Sequence, residues 1–381
     1  MPRKILQIIP EIATGGAERI VLETAKAITQ SGDECFVFTN GGRMEATFKE
    51  IGAKLIIGDA KSKNPFKILK SNVDFLIKFI KEKKIDLIHV HSRAPAISAY
   101  IAARKTKTPL VSTYHGIYPA KNAIKRYYNS FMAKADLVIA NSNFTKKHLI
   151  AQHQTDNDKV RLVYCGIDTD IFNPNNIKIA DVENLLNSWG IKDRNAKRIL
   201  LPARLTSWKG QKILIEAAKV LAAKNIKPQY ILAGDAQGRI EYENELKQLI
   251  SAAKLDENIH LVGHCSNIPL AMAACDIIVT PSTKEEAFGL TAVEAQAMGK
   301  IIIASRLGAS VETVDDGKSG FLFTPKSADD LASKIENTLK LDDKAQNKMT
   351  NLGIWRANNI FSAKVLHQET LKVYDEALKT N

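Results

Sequence analysis

Apolar positions along this chain follow two alternating patterns. Short runs rich in Ile, Val and Leu are each followed by longer stretches whose apolar residues return at helical spacing. Runs at 5–9, 35–39, 54–57, 85–90, 109–114 and 137–140 read as strands. A second series follows at 198–203, 230–233, 259–262, 276–280 and 301–304. Among the intervening helices, 17–30 places Ile20, Val21, Ala25 and Ile28 on one side, and the final one, 362–379, aligns Val365, Leu366, Leu371, Val373 and Tyr374. Strands alternating with helices predict parallel α/β units, with ligands at the carboxyl ends of the strands. The polar segment 175–197 separates the two series and reads as a linker. A chain of 381 residues is long enough for two such cores.

Composition narrows the class. The net charge is +13, with 27 Lys and Arg against 16 Asp and Glu in residues 1–175, and 27 against 25 in the remainder. A basic first half fits nucleic acid, an anionic membrane surface or an acidic substrate. No helix-turn-helix, RNA-recognition or zinc-finger pattern is present, so nucleic acid ranks last. Cys35, Cys165, Cys265 and Cys275 show no C-x-x-C spacing, which points to a reduced chain without structural zinc. No run reaches the length of a membrane helix, and MPRKILQIIP reads as a strand rather than a signal-peptide core, giving a cytoplasmic expectation.

The most informative stretch is Pro281 to Gly299, PSTKEEAFGLTAVEAQAMG. A strand leads into a loop holding Glu285, Glu286 and Phe288, and a helix begins near Gly289 or Leu290. That helix is apolar on nearly every side, yet Glu294 lies within it. A buried carboxylate there costs several kcal/mol unless something hydrogen-bonds it. The N–H groups of Gly289, Leu290 and Thr291 form an anion site at the helix start. Phosphate there, with hydroxyl-rich groups on Glu294 and Glu286, describes a nucleotide-sugar. A second anion site lies upstream. Lys209 stands near a helix start, where the dipole is already positive, and an anion between Arg204 and Lys209 would relieve the conflict.

The first half offers weaker candidates. Gly15-Gly16 after the first strand allows close backbone approach or simply makes a turn, and it is not G-x-G-x-x-G. His89 and His91 are read as making helix-start and packing contacts, with no third ligand to complete a metal site. His115 ends an apolar run and precedes Gly116. In 118–134, Lys121, Lys125 and Arg126 interleave with aromatic residues. That describes either a helix lying on an anionic membrane or an ordinary amphipathic helix burying its aromatics. The basic segment 61–70 extends the same face. Asp168-Thr-Asp170 formally matches the D-x-D of metal-dependent glycosyltransferases but is read as a decoy in a connector.

Glu286-x7-Glu294 around Phe288-Gly289-Leu290 resembles the signature of glycosyltransferase family 4. Gly15-Gly16, His115, Arg204/Lys209, Gly234-Asp235 and Gly308…Glu312 occur in that family's order. Cys165, where members commonly have Asn, and Ala309, where a second glycine is usual, depart from it. The resemblance implies a GT-B fold, with two Rossmann-like α/β domains facing across a cleft. The first, acceptor-binding domain spans 1–174 and the second, donor-binding domain 198–361. A returning helix, 362–381, joins the first domain.

The implied reaction is a retaining, metal-independent hexosyl transfer without a cofactor, from GDP-mannose or a UDP-hexose, and the basic, aromatic first half favours an anionic glycolipid as acceptor. The acceptor favoured is lipopolysaccharide core or another envelope glycolipid, reached peripherally on the inner membrane face. The resemblance places His115, Glu286, Arg204 and Lys209 at the chemistry. Donor contacts fall to Gly15, Gly16, Gly234, His264, Phe288, Gly289, Leu290, Thr291 and Glu294, with His264 acting through its main chain. Lys121, Lys125 and Arg126 form the expected acceptor or membrane face. The alternatives are a soluble acceptor, a two-domain nicotinamide oxidoreductase, or an inactive sugar-binding module.

Overall fold

In the computed structural model, which describes residues 2–13, 15–118 and 122–379, the apolar runs pair into two all-parallel sheets. The chain divides into two units, Met1–Gly166 with Ala363–Asn381, and Ile167–Ser362. Strands buried on both faces are near-continuous in Ile, Val and Leu because helices cover each side of a parallel sheet.

The first unit has strands β1 (Lys4–Ile8), β2 (Glu34–Thr39), β3 (Lys54–Ile57), β4 (Leu87–Val90), β5 (Leu110–Tyr114), β6 (Leu137–Ala140) and β7 (Val160–Leu162). Their order is β3-β2-β1-β4-β5-β6-β7. The order reverses between β1 and β4, and Gln7 pairs with His89 across that junction. The Gly16–Gln30 helix follows β1, and the C-terminal Ala363–Lys379 helix packs against it. This confirms the helix expected to return to the first unit. Of its expected stripe, Leu366, Val373 and Tyr374 are buried while Val365 and Leu371 are only partly so; Thr370 and Ala377 complete the buried face.

The second unit has β8 (Arg198–Pro202), β9 (Gln229–Ala233), β10 (Ile259–Gly263), β11 (Ile277–Thr280), β12 (Ile301–Ser305) and β13 (Phe321–Phe323), in the order β10-β9-β8-β11-β12-β13. Here the reversal falls between β8 and β11. Such reversals open a crevice at the carboxyl ends of the strands, the usual place for a ligand in this architecture. Residues 175–197 contain the Ile179–Ser188 helix, which packs on the Ile268–Ala273 helix within this unit. Two three-residue edge strands, β7 and β13, escaped the sequence pattern because each is too short to show a period.

Candidate active site

In the second unit the loops leaving β8 and β11 converge. Gly210 adopts φ +80°, and a Cβ there would lie 1.8 Å from the Pro281 carbonyl oxygen. Only glycine permits that approach. Thr283 N–H then donates to the Trp208 carbonyl at 2.8 Å, tying the two loops together. Lys209 Nζ consequently donates to Glu286 Oε1 at 2.8 Å, and Ser282 Oγ donates to the same carboxylate oxygen. The Lys209 ammonium also lies 4.3 Å from the centre of the Trp208 ring. Both partners of the ion pair are partly buried. The sequence reading placed Lys209 with phosphate and Glu286 with sugar, and did not foresee that the two side chains meet.

Around this pair stand the remaining second-unit candidates. Arg204 follows β8 and is exposed, and among the described residues its guanidinium has no partner; its carbonyl accepts from Gln211 Nε2 at 2.9 Å. Gly234 follows β9, where a Cβ would meet the Ala203 carbonyl oxygen at 1.8 Å. His264 is exposed directly after β10. Gly289 caps the Leu290–Ala297 helix in the left-handed region, with no side-chain cap, so the first amides of the helix, at Leu290 and Thr291, lack intrahelical acceptors. Glu294 is buried in that helix, as its apolar neighbours imply. Phe288 is also buried, its ring edge-on to Phe361 at 5.7 Å, so its side chain anchors the loop from beneath. The Ala309 N–H donates to the Glu286 carbonyl at 3.0 Å, and a Cβ at Gly308 would meet that carbonyl at 2.4 Å. The backbone of Glu286 is therefore fixed from the β12 side as well.

The first unit holds a different arrangement beneath its own strand reversal. His91 Nε2 faces Gln7 Oε1 at 2.9 Å, and His91 Nδ1 faces His115 Nε2 at 3.1 Å. Gln7 Nε2 donates to Cys35 Sγ at 3.4 Å. His89 sits beside His91, ring centres 3.8 Å apart, with Nδ1 on the Tyr374 hydroxyl and Nε2 on the Thr113 hydroxyl, each at 2.7 Å. His89 and His91 thus bond side chains across the sheet rather than a helix start. Burial, with the neighbouring histidines, holds both well below the ordinary imidazole range, and burial pushes His115 down to about 4. Sequence reasoning missed Gln7, Cys35, Thr113 and Tyr374. A polar residue inside the apolar run KILQI was the available signal.

Gly15 and Gly16 are exposed at the start of the helix after β1. Lys125 and Arg126 are exposed on the Ala123–Ala133 helix, beside Ile124 at 82% and Tyr127 at 63% exposure, while Phe131 and Met132 are buried. Lys121 lies outside the described residues. Asp168 Oδ1 accepts from the N–H groups of Asp170 and Ile171, at 3.1 and 3.2 Å, which gives it a turn-forming role. Among the described residues no group of three His, Cys, Asp or Glu side chains is placed to hold a metal ion. Among the same residues, no helix is long and apolar enough to cross a membrane.

Two all-parallel, doubly wound α/β units in one chain are the architecture of the GT-B class of glycosyltransferases. Residues 14–171 match the Glycosyltransferase Family 4 model, and 183–354 match that of Glycosyl transferases group 1. A glycosyltransferase from Rickettsia africae ESF-5 is 34% identical with a TM-score of 0.92, all of each chain being covered. Anabaena HepE, solved in complex with UDP and glucose, is 25% identical with a TM-score of 0.84, over 98% of this chain and 99% of that one. A D-inositol 3-phosphate glycosyltransferase of Arthrobacter sp. is 26% identical, over 84% of this chain and 81% of its own length. The chain belongs to glycosyltransferase family 4, and is a nucleotide-sugar-dependent hexosyltransferase.

Proposed function

We propose that the second unit binds a nucleoside-diphosphate hexose, and that the hexose passes, with retained anomeric configuration, to an anionic membrane-anchored glycolipid such as lipopolysaccharide core. The observation that carries the donor half is the meeting of Lys209 and Glu286 at the strand reversal, where Arg204 also follows β8 with a guanidinium that has no partner among the described residues. Departure of the diphosphate builds negative charge on the leaving oxygen. Arg204, Lys209 and the amides at Leu290 and Thr291 are cationic or donor groups that stabilise such charge, each worth a few kcal/mol in a water-poor site. When diphosphate draws Lys209 away, Glu286 is released to accept from sugar hydroxyls, while Glu294 takes the ribose hydroxyls. Gly234, His264 and Phe288 shape the nucleotide end. The complex of HepE with UDP and glucose supports a UDP-hexose over GDP-mannose.

The first unit supplies the acceptor side, with His115 a substrate contact. A relative named for inositol 3-phosphate supports an anionic acceptor. Ile124 and Tyr127 exposed beside Lys125 and Arg126 combine apolar and cationic groups as a membrane-surface helix does. Phe66 at 63% and Leu69 at 56% exposure add apolar surface on the basic segment 61–70. The test is vesicle co-sedimentation with transfer assayed on the same samples. Lys125→Glu with Arg126→Glu is expected to abolish binding to vesicles containing anionic lipid and to spare donor binding. Unchanged sedimentation would remove the membrane-anchored acceptor and favour a soluble one.

A further inference from the structure

The polar chain beneath His115 has a direction, and the direction fixes where its protons sit. Gln7 is fully buried and its amide nitrogen is engaged by Cys35 Sγ, so its oxygen is the atom facing His91 Nε2. An amide oxygen only accepts, so His91 Nε2 must carry the hydrogen. Burial keeps His91 neutral, which leaves its Nδ1 as a bare lone pair. That lone pair faces His115 Nε2 at 3.1 Å, so His115 Nε2 donates. His115 is itself neutral, burial having lowered it to about 4, and its Nδ1 is therefore unprotonated. Among the described residues, nothing bonds that Nδ1.

We propose that Gln7 and His91 are positioning residues that hold His115 in the Nε2–H tautomer, so that its Nδ1 is presented as a hydrogen-bond acceptor for a substrate hydroxyl. The inference rests on the transferase reading and narrows it. A neutral, accepting imidazole orients a sugar or acceptor hydroxyl and gives no attraction to phosphate. The relay also explains why a glutamine interrupts the apolar run of β1. Leu or Ile there would pack as well against the sheet but would leave His91 free to take either tautomer.

The test is a two-bond 1H–15N correlation spectrum of the full chain labelled with 15N-histidine, recorded without substrate near neutral pH. The His115 signals are assigned by their loss in His115→Asn. The expected spectrum shows His115 with Nε2 protonated and Nδ1 bare, and a protonated Nδ1 would overturn the proposal. Two variants then test the relay. Gln7→Met removes the acceptor and is expected to lower kcat about tenfold, the scale of one oriented hydrogen bond, with little change in donor KM. His91→Phe removes the acceptor facing His115 Nε2 and is expected to lower kcat by a similar factor while the His115 spectrum loses its single tautomer. Such losses with the His115 spectrum unchanged would contradict the relay. The spectrum needs no turnover, so a failure to transfer any hexose would count against the transferase reading and leave the tautomer result in support.

Discussion

The two units share an architecture and place chemistry at the same topological point by opposite means. In the second unit the site is made by loops. Lys209, Glu286 and Gly289 lie in segments that leave β8 and β11 and meet because glycines let backbones touch. In the first unit the polar groups are built into the sheet. Gln7, Cys35, His89 and Thr113 lie on four strands, His91 and His115 directly follow two of them, and Tyr374 comes from the C-terminal helix. A loop-borne site can exchange one partner for another, as the proposed donor complex asks of Lys209. A sheet-borne network is satisfied internally up to its outermost member, His115, since each buried polar atom left unpaired would cost about 1–3 kcal/mol.

That contrast can be broken most sharply at Lys209. Lys209→Ala is expected to lower kcat/KM by about 10²–10³, the usual effect of removing one transition-state charge contact, with the melting temperature nearly unchanged. Steady-state kinetics beside a thermal melt check both halves; a fall in melting temperature large enough to explain the lost activity would make the ion pair structural. Next comes Gly210→Ala, which places a Cβ against the Pro281 carbonyl in a left-handed backbone. About 3 kcal/mol of stability is expected to be lost, read by urea denaturation, because the β8 and β11 loops can no longer touch.

The smallest effect belongs to the first unit and to pH. His89, His91 and His115 have folded pKa values below the unfolded value, so the unfolded chain binds protons the folded chain refuses as pH falls through 6.5. Their stability is therefore fully present above that pH and lost below it, toward about 4 for His115. His115 alone accounts for up to about 2 kcal/mol between pH 7 and 5. Melts at the two pH values, on wild type and His115→Asn, should show part of the acid sensitivity disappearing in the variant. Equal sensitivity in both would mean that His115 is not held neutral.

The same contrast governs what the sequence discloses. Both sheets were legible because parallel strands buried on two faces are written as unbroken apolar runs, and the C-terminal helix because its stripe is long. The donor candidates were legible because Glu286, Gly289 and Glu294 are close neighbours in the chain. The histidine network was not, since Gln7 and Tyr374 are |i−j| = 367 apart and only the fold brings both against adjacent histidines. Nor was the Lys209–Glu286 pair, which depends on a close contact at Gly210 that no local pattern announces. Cys165 illustrates a departure the fold absorbs: buried, it accepts from Asn141 Nδ2 at 3.7 Å.

If the second unit holds a nucleoside-diphosphate hexose through Lys209, calorimetric titration of UDP-, GDP- and ADP-hexoses into wild type and Lys209→Ala will separate the two proteins. One nucleotide class is expected to bind wild type, UDP by preference, with affinity reduced at least about tenfold in the variant. Equal affinity in both proteins, or binding of a nicotinamide dinucleotide in place of every nucleotide-sugar, would contradict it.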